Sequence, residues 1–561
     1  MKEFSLNSGK YTKLVVFAAR ESGSGASGAL RLTDKSGTVR GEIFPEDSRP
    51  VPFSFSLDRN TSYTLAIRNV MIPYVYLCGN DDVLESGIGF IETVGGTLRI
   101  VEKADLSGAY GQPLRNQFHF AAYKNWINDP NGLCRFRGYY HLFYQFNPFG
   151  LEWDNMHWGH AVSRDLIRWT HLPIALFPQK ELYGNPGLRG GAYSGCAVTD
   201  DERMTLYFTR NTSPPVKGPE TRETQQEAFS TNGIDVFGER TIIPGRPEGS
   251  ADYNFRDPKV VSIRGKTAML IATTVHGVCS VMMYEPAGKE WVYSGIIFQD
   301  DLDCETFECV NYVENPETGE GALICALQNA RDPKGRRRLS VCYTGYFDGG
   351  SFNSRNRRIY DFGTCCYAVQ TMDLPGRTVA FGWIVDSYGE FKKEGSISNG
   401  AITLPRELTV TDGWLYTRPA RETASLSGRE LFRGQPSRET VIELGDLCYR
   451  VDLVLNGRTD FTLCLAESGD ERLELRRSGS IVTIDYQRPG SDAPPLTEEI
   501  ETVTDVTVFM DRSAAEIFIN DGRYCATRVF YISDRKKQFS ARFSSAGSVA
   551  SMTVWELNPI W

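Results

Sequence analysis

Three acidic residues stand in settings from which a carboxyl group could do chemistry: Asp129 in WINDPNG, Asp257 in FRDPKV and Glu308 in FECVNYV. Cleaving a glycoside through a covalent intermediate needs two carboxyl groups about the bond, one ionised to attack and one protonated to serve the leaving oxygen. A third acid is then free to hold the sugar. Asp129 precedes Pro130, whose ring fixes φ and helps aim the residue before it. Glu308 lies between Phe307 and Cys309, so burial is expected to disfavour its charged form and raise its pKa, as an acid catalyst requires.

Each motif also has a plainer reading. Asn-Asp-Pro-Asn-Gly is a turn sequence, and Arg-Asp-Pro occurs a second time at Arg331-Asp332-Pro333, beside the basic run KGRRR. That copy reads as a surface turn and the basic run as a solvated loop, so position in the chain carries more than the tripeptide does.

The position comes from a repeat. Five apolar strand runs begin at Gly138, Arg203, Gly265, Gly319 and Arg377, spaced by 65, 62, 54 and 58 residues. A unit of that size holds four short strands and their loops, one blade of a propeller. Each run follows a polar or aromatic motif: WINDPNG, YSGCAV, FRDPKV, FECVNYV and DFGTCCYAVQ. If these motifs lie on innermost strands, Asp129, Asp257 and Glu308 open onto one axial funnel despite their separation in sequence.

Around this middle region the chain reads as strand nearly throughout. KLVVFAAR, ALRLTD, SYTLAIRNV and YVYLCGND, broken by Gly, Asn, Asp and Pro, predict an N-terminal β-sandwich-like accessory domain over 1–111. It is expected to add no essential catalytic group. ADLSGAYGQPLRNQ reads as a linker into a five-bladed propeller over 112–425. A C-terminal β-sandwich follows over 426–561, with Asn520-Asp521-Gly522 as a hairpin turn. The fold class is all-β.

Composition excludes other roles. A formal charge of -9 opposes a nucleic-acid footprint, which needs a surplus of Lys and Arg. No apolar run approaches a membrane span, and the opening MKEFSLNSGKY lacks a secretory apolar core. Thirteen cysteines without a CxxC pair read as buried free thiols in a reducing, cytoplasmic setting. No cofactor is implied. His141, His157, His160 and His171 suggest a metal, but residues three apart on a strand face opposite ways, so His157 and His160 make a poor ligand pair and no metal is expected.

Together the motifs resemble glycoside hydrolase family 32, the invertase, levanase and inulinase group. WINDPNG with YHLFYQFNP, MHWGHAVSRDLIRWTHLPIAL, FRDPKV, FEC and DRSAAEIFIND carry the likeness over about 116–561. The resemblance implies Asp129 as nucleophile, Asp257 as transition-state stabiliser and Glu308 as acid/base. It implies a fructosyl pocket lined by Trp126, Asn128, Gln145, Trp153, Tyr193, Ser194 and Arg256, with Trp383 nearby. The substrate would be sucrose, a fructo-oligosaccharide or a fructan. A fructosyltransferase using the same intermediate and a non-catalytic fructan-binding protein stay open, as does self-association into a homo-oligomer. Two departures, Tyr193-Ser194-Gly195-Cys196 and Glu308-Cys309-Val310-Asn311, are expected near the pocket wall.

Overall fold

The computed structural model describes every residue except 1, 22–26, 96, 248–252, 392–394, 492 and 546. It is all-β. Five sheets of four to five strands, antiparallel but for one short parallel pair, follow one another between Asn125 and Pro419. Their first strands are Asn125–Phe136, Arg189–Thr199, Phe255–Ile263, Phe307–Glu314 and Cys366–Leu374. Each packs beside the next, and the last returns to the first, closing a ring. The ring is also latched in the backbone: Ser398–Asn399, reached from the fifth sheet, pairs in parallel with Asn125–Trp126.

All five inner strands carry the same irregularity. Between Ile127 and Pro130, Ala192 and Gly195, Arg256 and Lys259, Glu308 and Asn311, and Tyr367 and Gln370, the inner strand advances three residues while its neighbour advances two. One extra residue on one strand is a β-bulge, which bends the strand and re-aims its side chains. Asp257, Cys309 and Ala368 sit in these bulges at φ of 63°, 48° and 51°, a left-handed conformation that an L-residue holds only when its surroundings impose it.

The N-terminal strands differ from a sandwich of two sheets. They form one continuous nine-stranded sheet that curls into a nearly closed barrel. Its two edge strands, Val39–Ile43 and Val51–Ser56, meet where Gly41 lies against the Phe55 ring; a Cβ on Gly41 would fall 2.8 Å from it. The run KLVVFAAR shows why one sheet suffices. Leu14, Val16 and Ala18 fill the barrel interior, while Val15 and Phe17 face outward into a second apolar core. Phe17, Tyr74 and Phe90 there meet Phe149, Phe146 and Tyr123 at ring separations of 5.5, 5.6 and 4.1 Å. A strand buried on both faces reads as a continuous apolar run.

The expected linker is firmly held. Asp511, between two C-terminal strands, accepts the backbone N–H groups of Gln117, Phe118 and His119 at 2.7, 3.0 and 3.1 Å. His119 is fully buried and spans Asp511 Oδ2 and Glu516 Oε1, both at 2.9 Å. Arg406 donates to Glu516 at 2.6 Å and to Asp361 at 3.1 Å. Asp511 and Glu516 of DRSAAEIFIND thus clasp the chain to the ring of sheets. Beyond the clasp, two six-stranded sheets close on a shared apolar core that includes Val451, Leu463, Leu473, Val508 and Ile517. Asn520 and Asp521 take the positive φ that a tight hairpin turn requires.

His157 and His160 do face opposite ways. His160 meets His141 at 3.0 Å, while the His157 ring packs against Phe17, Phe149 and Phe177. None of the thirteen thiols is joined in a disulfide. Among the described residues no helix is long and apolar enough to cross a membrane.

Candidate active site

The bulges bring the three acids to one end of the ring, and Cys309 links two of them. Its N–H donates to Asp257 Oδ2 at 2.9 Å, and its thiol lies 3.6 Å from both Asp257 Oδ2 and Asp129 Oδ2. Asp129 also accepts Ser194 Oγ at 2.5 Å and Asn128 Nδ2 at 3.0 Å. Asn128 is oriented in turn by the Trp126 indole N–H at 2.8 Å. Burial and the nearby Glu308 charge push the Asp129 carboxyl up, against the pull of Ser194 and Asn128. Those donors favour the ionised form that an attacking carboxylate needs.

Asp257 is pushed up to about 7, chiefly by burial, with Glu308 and Asp129 adding like charge against the attraction of Arg256.

Glu308 departs from the sequence reading. Burial does oppose its charge, but Arg256, with Lys217 and Tyr367 adding to it, outweighs burial and holds the carboxyl below its ordinary range. Arg256 donates to Glu308 Oε1 from Nη2 at 3.1 Å and Nε at 3.3 Å, and Tyr367 donates to Oε2 at 2.7 Å. The apolar neighbours in sequence did not decide the matter, because the charge partner arrives from another sheet.

Arg256 is itself fully engaged. It also donates to Glu223 Oε1 at 3.2 Å, Asn254 Oδ1 at 2.6 Å and Gln328 Oε1 at 2.8 Å. Its guanidinium carries five N–H donors in one plane and cannot be deprotonated, so it supplies a fixed positive charge beneath the acids.

Aromatic groups lie around the acids. Trp126 and Trp383 meet edge to face at 5.5 Å, and the Trp383 indole N–H has no protein acceptor among the described residues. Trp153 is partly exposed and meets the buried Tyr193 edge to face at 6.1 Å. Gln145 lies one strand back and donates to Ala192 O at 3.0 Å, bracing the first sheet against the second inner strand. Within the two sequence departures Tyr193 stays beside Trp153, while Cys196 and Asn311 turn inward. Cys196 is buried and accepts the Val260 N–H, and Asn311 is buried between Val369 O and Thr371. Both lie past their bulges, so their side chains point into the packed ring.

Sequence reasoning missed Tyr367, Glu223, Gln328 and the Cys309 amide. Tyr367 had a usable signal, since it stands in DFGTCCYAVQ at the same bulge phase as Glu308. Glu223 had none, for it lies on Arg222–Ser230, a strand outside the repeated motifs.

Known proteins share this plan. Residues 119–419 match the glycosyl hydrolases family 32 N-terminal domain, and 437–556 match the family 32 C-terminal region. A levanase of Bacillus subtilis is 28% identical over 505 residues, covering 81% of this chain and 72% of its own length. A sucrose-6-phosphate hydrolase of Klebsiella pneumoniae is 31% identical over 439 residues, covering 74% of this chain and 88% of its own. The solved structure of a glycoside hydrolase family 32 protein from Bifidobacterium adolescentis superposes over 100% of both chains, with a TM-score of 0.91 and 27% identity. The match over the whole chain includes the N-terminal barrel.

Proposed function

The chain belongs to glycoside hydrolase family 32, and from that premise we propose that Asp129, Asp257 and Glu308 cleave the bond to a terminal β-D-fructofuranosyl unit. The enzyme is a retaining β-fructofuranosidase acting on sucrose or fructans. One observation carries the residue assignment: Cys309 bridges Asp129 and Asp257, while the adjacent Glu308 turns to Arg256 and Tyr367.

In this reading Asp129, whose ionised form Ser194 and Asn128 favour, attacks the anomeric carbon. The bond to the leaving oxygen breaks and that oxygen takes a proton from Glu308. Glu308, now ionised, removes a proton from water, which attacks the same carbon and releases Asp129 with configuration retained. Asp257 grips fructosyl hydroxyls, and that grip tightens as the ring flattens in the transition state. Arg256 favours the ionised form of Glu308, so the acid role requires a proton to reach Glu308 as substrate enters.

The surrounding architecture reads as a five-bladed propeller over 112–425, supported by the closed ring of five inner strands. A β-sandwich over 426–561 and an accessory barrel over 1–111 complete it. Cytoplasmic placement accords with the free thiols. Incubation with sucrose, kestose, inulin, levan and sucrose 6-phosphate tests the function. Fructose released first as the β-anomer supports it; release of the α-anomer, or none from any substrate, overturns it. Products longer than the substrate at high sucrose would identify transfer.

A further inference from the structure

In the basic run KGRRR, Arg338 lies 5.8 Å from the Tyr367 ring centre and 5.9 Å from that of Trp383, whereas Arg336 takes another direction. Arg336 turns inward to Asp332 Oδ2 at 2.6 Å and Glu498 Oε2 at 3.2 Å. Behind it lies a cleft of about 340 Å³ between the fourth and fifth sheets and the C-terminal sheets, lined among others by Arg336, Arg357, Arg358, Trp414, Glu498 and Arg523. That volume is at the lower end of small-molecule sites.

The four arginines are not equivalent. Arg336 has Asp332 and Glu498, and Arg357 has Asp300 Oδ2 at 3.0 Å. Arg358 and Arg523 meet no carboxylate within salt-bridge distance among the described residues. Both lie instead on the Trp414 indole, with guanidinium carbons 3.2 and 3.7 Å from the ring centre. Stacking uses the flat face of a guanidinium and leaves its in-plane N–H donors unspent, and those donors match phosphate oxygens in pairs. Holding two cations on one ring without a counter-charge is unfavourable, and Glu498, already bonded to Arg336, offsets only part of it. Burial and the neighbouring Arg523 accordingly pull the Arg358 pKa down. A bound dianion would relieve that repulsion.

We propose that this cleft binds a small phosphate group, free or as the monoester of a small metabolite, gripped by the in-plane donors of Arg358 and Arg523. The site is distinct from the three acids. Arg358 comes from Ser351–Ile359, Trp414 begins Trp414–Pro419, and Arg523 follows the Asn520-Asp521-Gly522 turn, so one ligand would join three parts of the chain.

Calorimetric titration of the intact protein with inorganic phosphate and, separately, glucose 6-phosphate, at constant ionic strength set with chloride, tests this. One saturable site is expected, weakened about tenfold or more by Arg358→Gln or Arg523→Gln, with sucrose turnover unchanged as the control for folding. Tighter binding of the ester would identify a metabolite, and equal binding free phosphate. Arg358→Lys, which keeps the charge but loses the paired donors, should bind more weakly than wild type. Absence of saturable binding of either probe at about 10 mM, or full retention by the double Gln variant, would overturn the proposal.

Discussion

Arg256 directs two N–H donors at one oxygen of Glu308, from Nη2 at 3.1 Å and from Nε at 3.3 Å, while Tyr367 donates to the other oxygen at 2.7 Å. These donors favour the ionised form of the residue assigned as proton donor.

The pH profile should report this pairing. Glu308 must be protonated to act as an acid, so its pKa limits activity on the alkaline side. Arg256→Gln removes the cation that lowers this pKa, and the alkaline limb of kcat/KM should move to higher pH even as its height falls. Tyr367→Phe removes one donor to the carboxylate and should shift the limb the same way by less. A limb that stays in place in both variants would separate it from Glu308.

Leaving-group dependence distinguishes the two reacting acids. Asp129→Ala should abolish turnover of every fructoside, because no covalent intermediate can form. Glu308→Ala should cost about 10²–10⁴ in kcat with sucrose but far less in forming the intermediate from an aryl fructoside with an acidic leaving group. Rates for both substrates in each variant provide the comparison; equal Glu308→Ala penalties would remove Glu308 from the acid role.

Asp257→Ala should lower kcat much more than it raises KM, since a grip that strengthens toward the transition state is lost mainly there. Steady-state kinetics on sucrose would show the split, and a rise in KM alone would make Asp257 an ordinary binding residue.

The clasp at His119 predicts a pH-dependent stability. Burial disfavours the charged ring, but hydrogen bonds to Asp511 and Glu516 outweigh it and raise the pKa to about 9 from an ordinary 6.5. A pKa raised by folding stabilises fully below the unfolded value and loses that contribution as pH climbs through the folded one. The clasp should therefore weaken between about pH 6.5 and 9. His119→Gln leaves two carboxylates buried beside a neutral group and should cost about 3–5 kcal/mol. Denaturant midpoints across that range should fall in the wild type and stay flatter in the variant.

The N-terminal barrel should matter for folding more than for chemistry. Phe17→Ala removes a buried ring from the core shared by barrel and ring of sheets, and a loss of about 3–5 kcal/mol is expected. Turnover per folded molecule should be unchanged. A chain begun at residue 112 would expose that apolar face and should aggregate unless the face is made polar. Loss of kcat in a well-folded Phe17→Ala protein would instead place the barrel in the catalytic machinery.

Much of the site was legible because its signals are local or periodic. The all-β character, the five spaced runs, the Asn-Asp-Gly turn and the motifs containing Asp129, Asp257 and Glu308 are properties of composition and spacing, and the strand period carries them directly into structure. The N-terminal sheet was harder. Alternation along a strand shows which residues share a face, but only the meeting of Gly41 with Phe55 shows that the sheet curls until its edges touch. The charge states were decided wholly by tertiary structure. Phe307 and Cys309 beside Glu308 suggest a raised pKa, yet Arg256 is 52 positions away in sequence and lies 3.1 Å from the carboxylate. Electrostatic energy depends on distance in space, and the bulges that set that distance each insert one residue whose effect is visible only against the neighbouring strand. By itself the sequence determined which acids could act; folding determined which charges surround each of them.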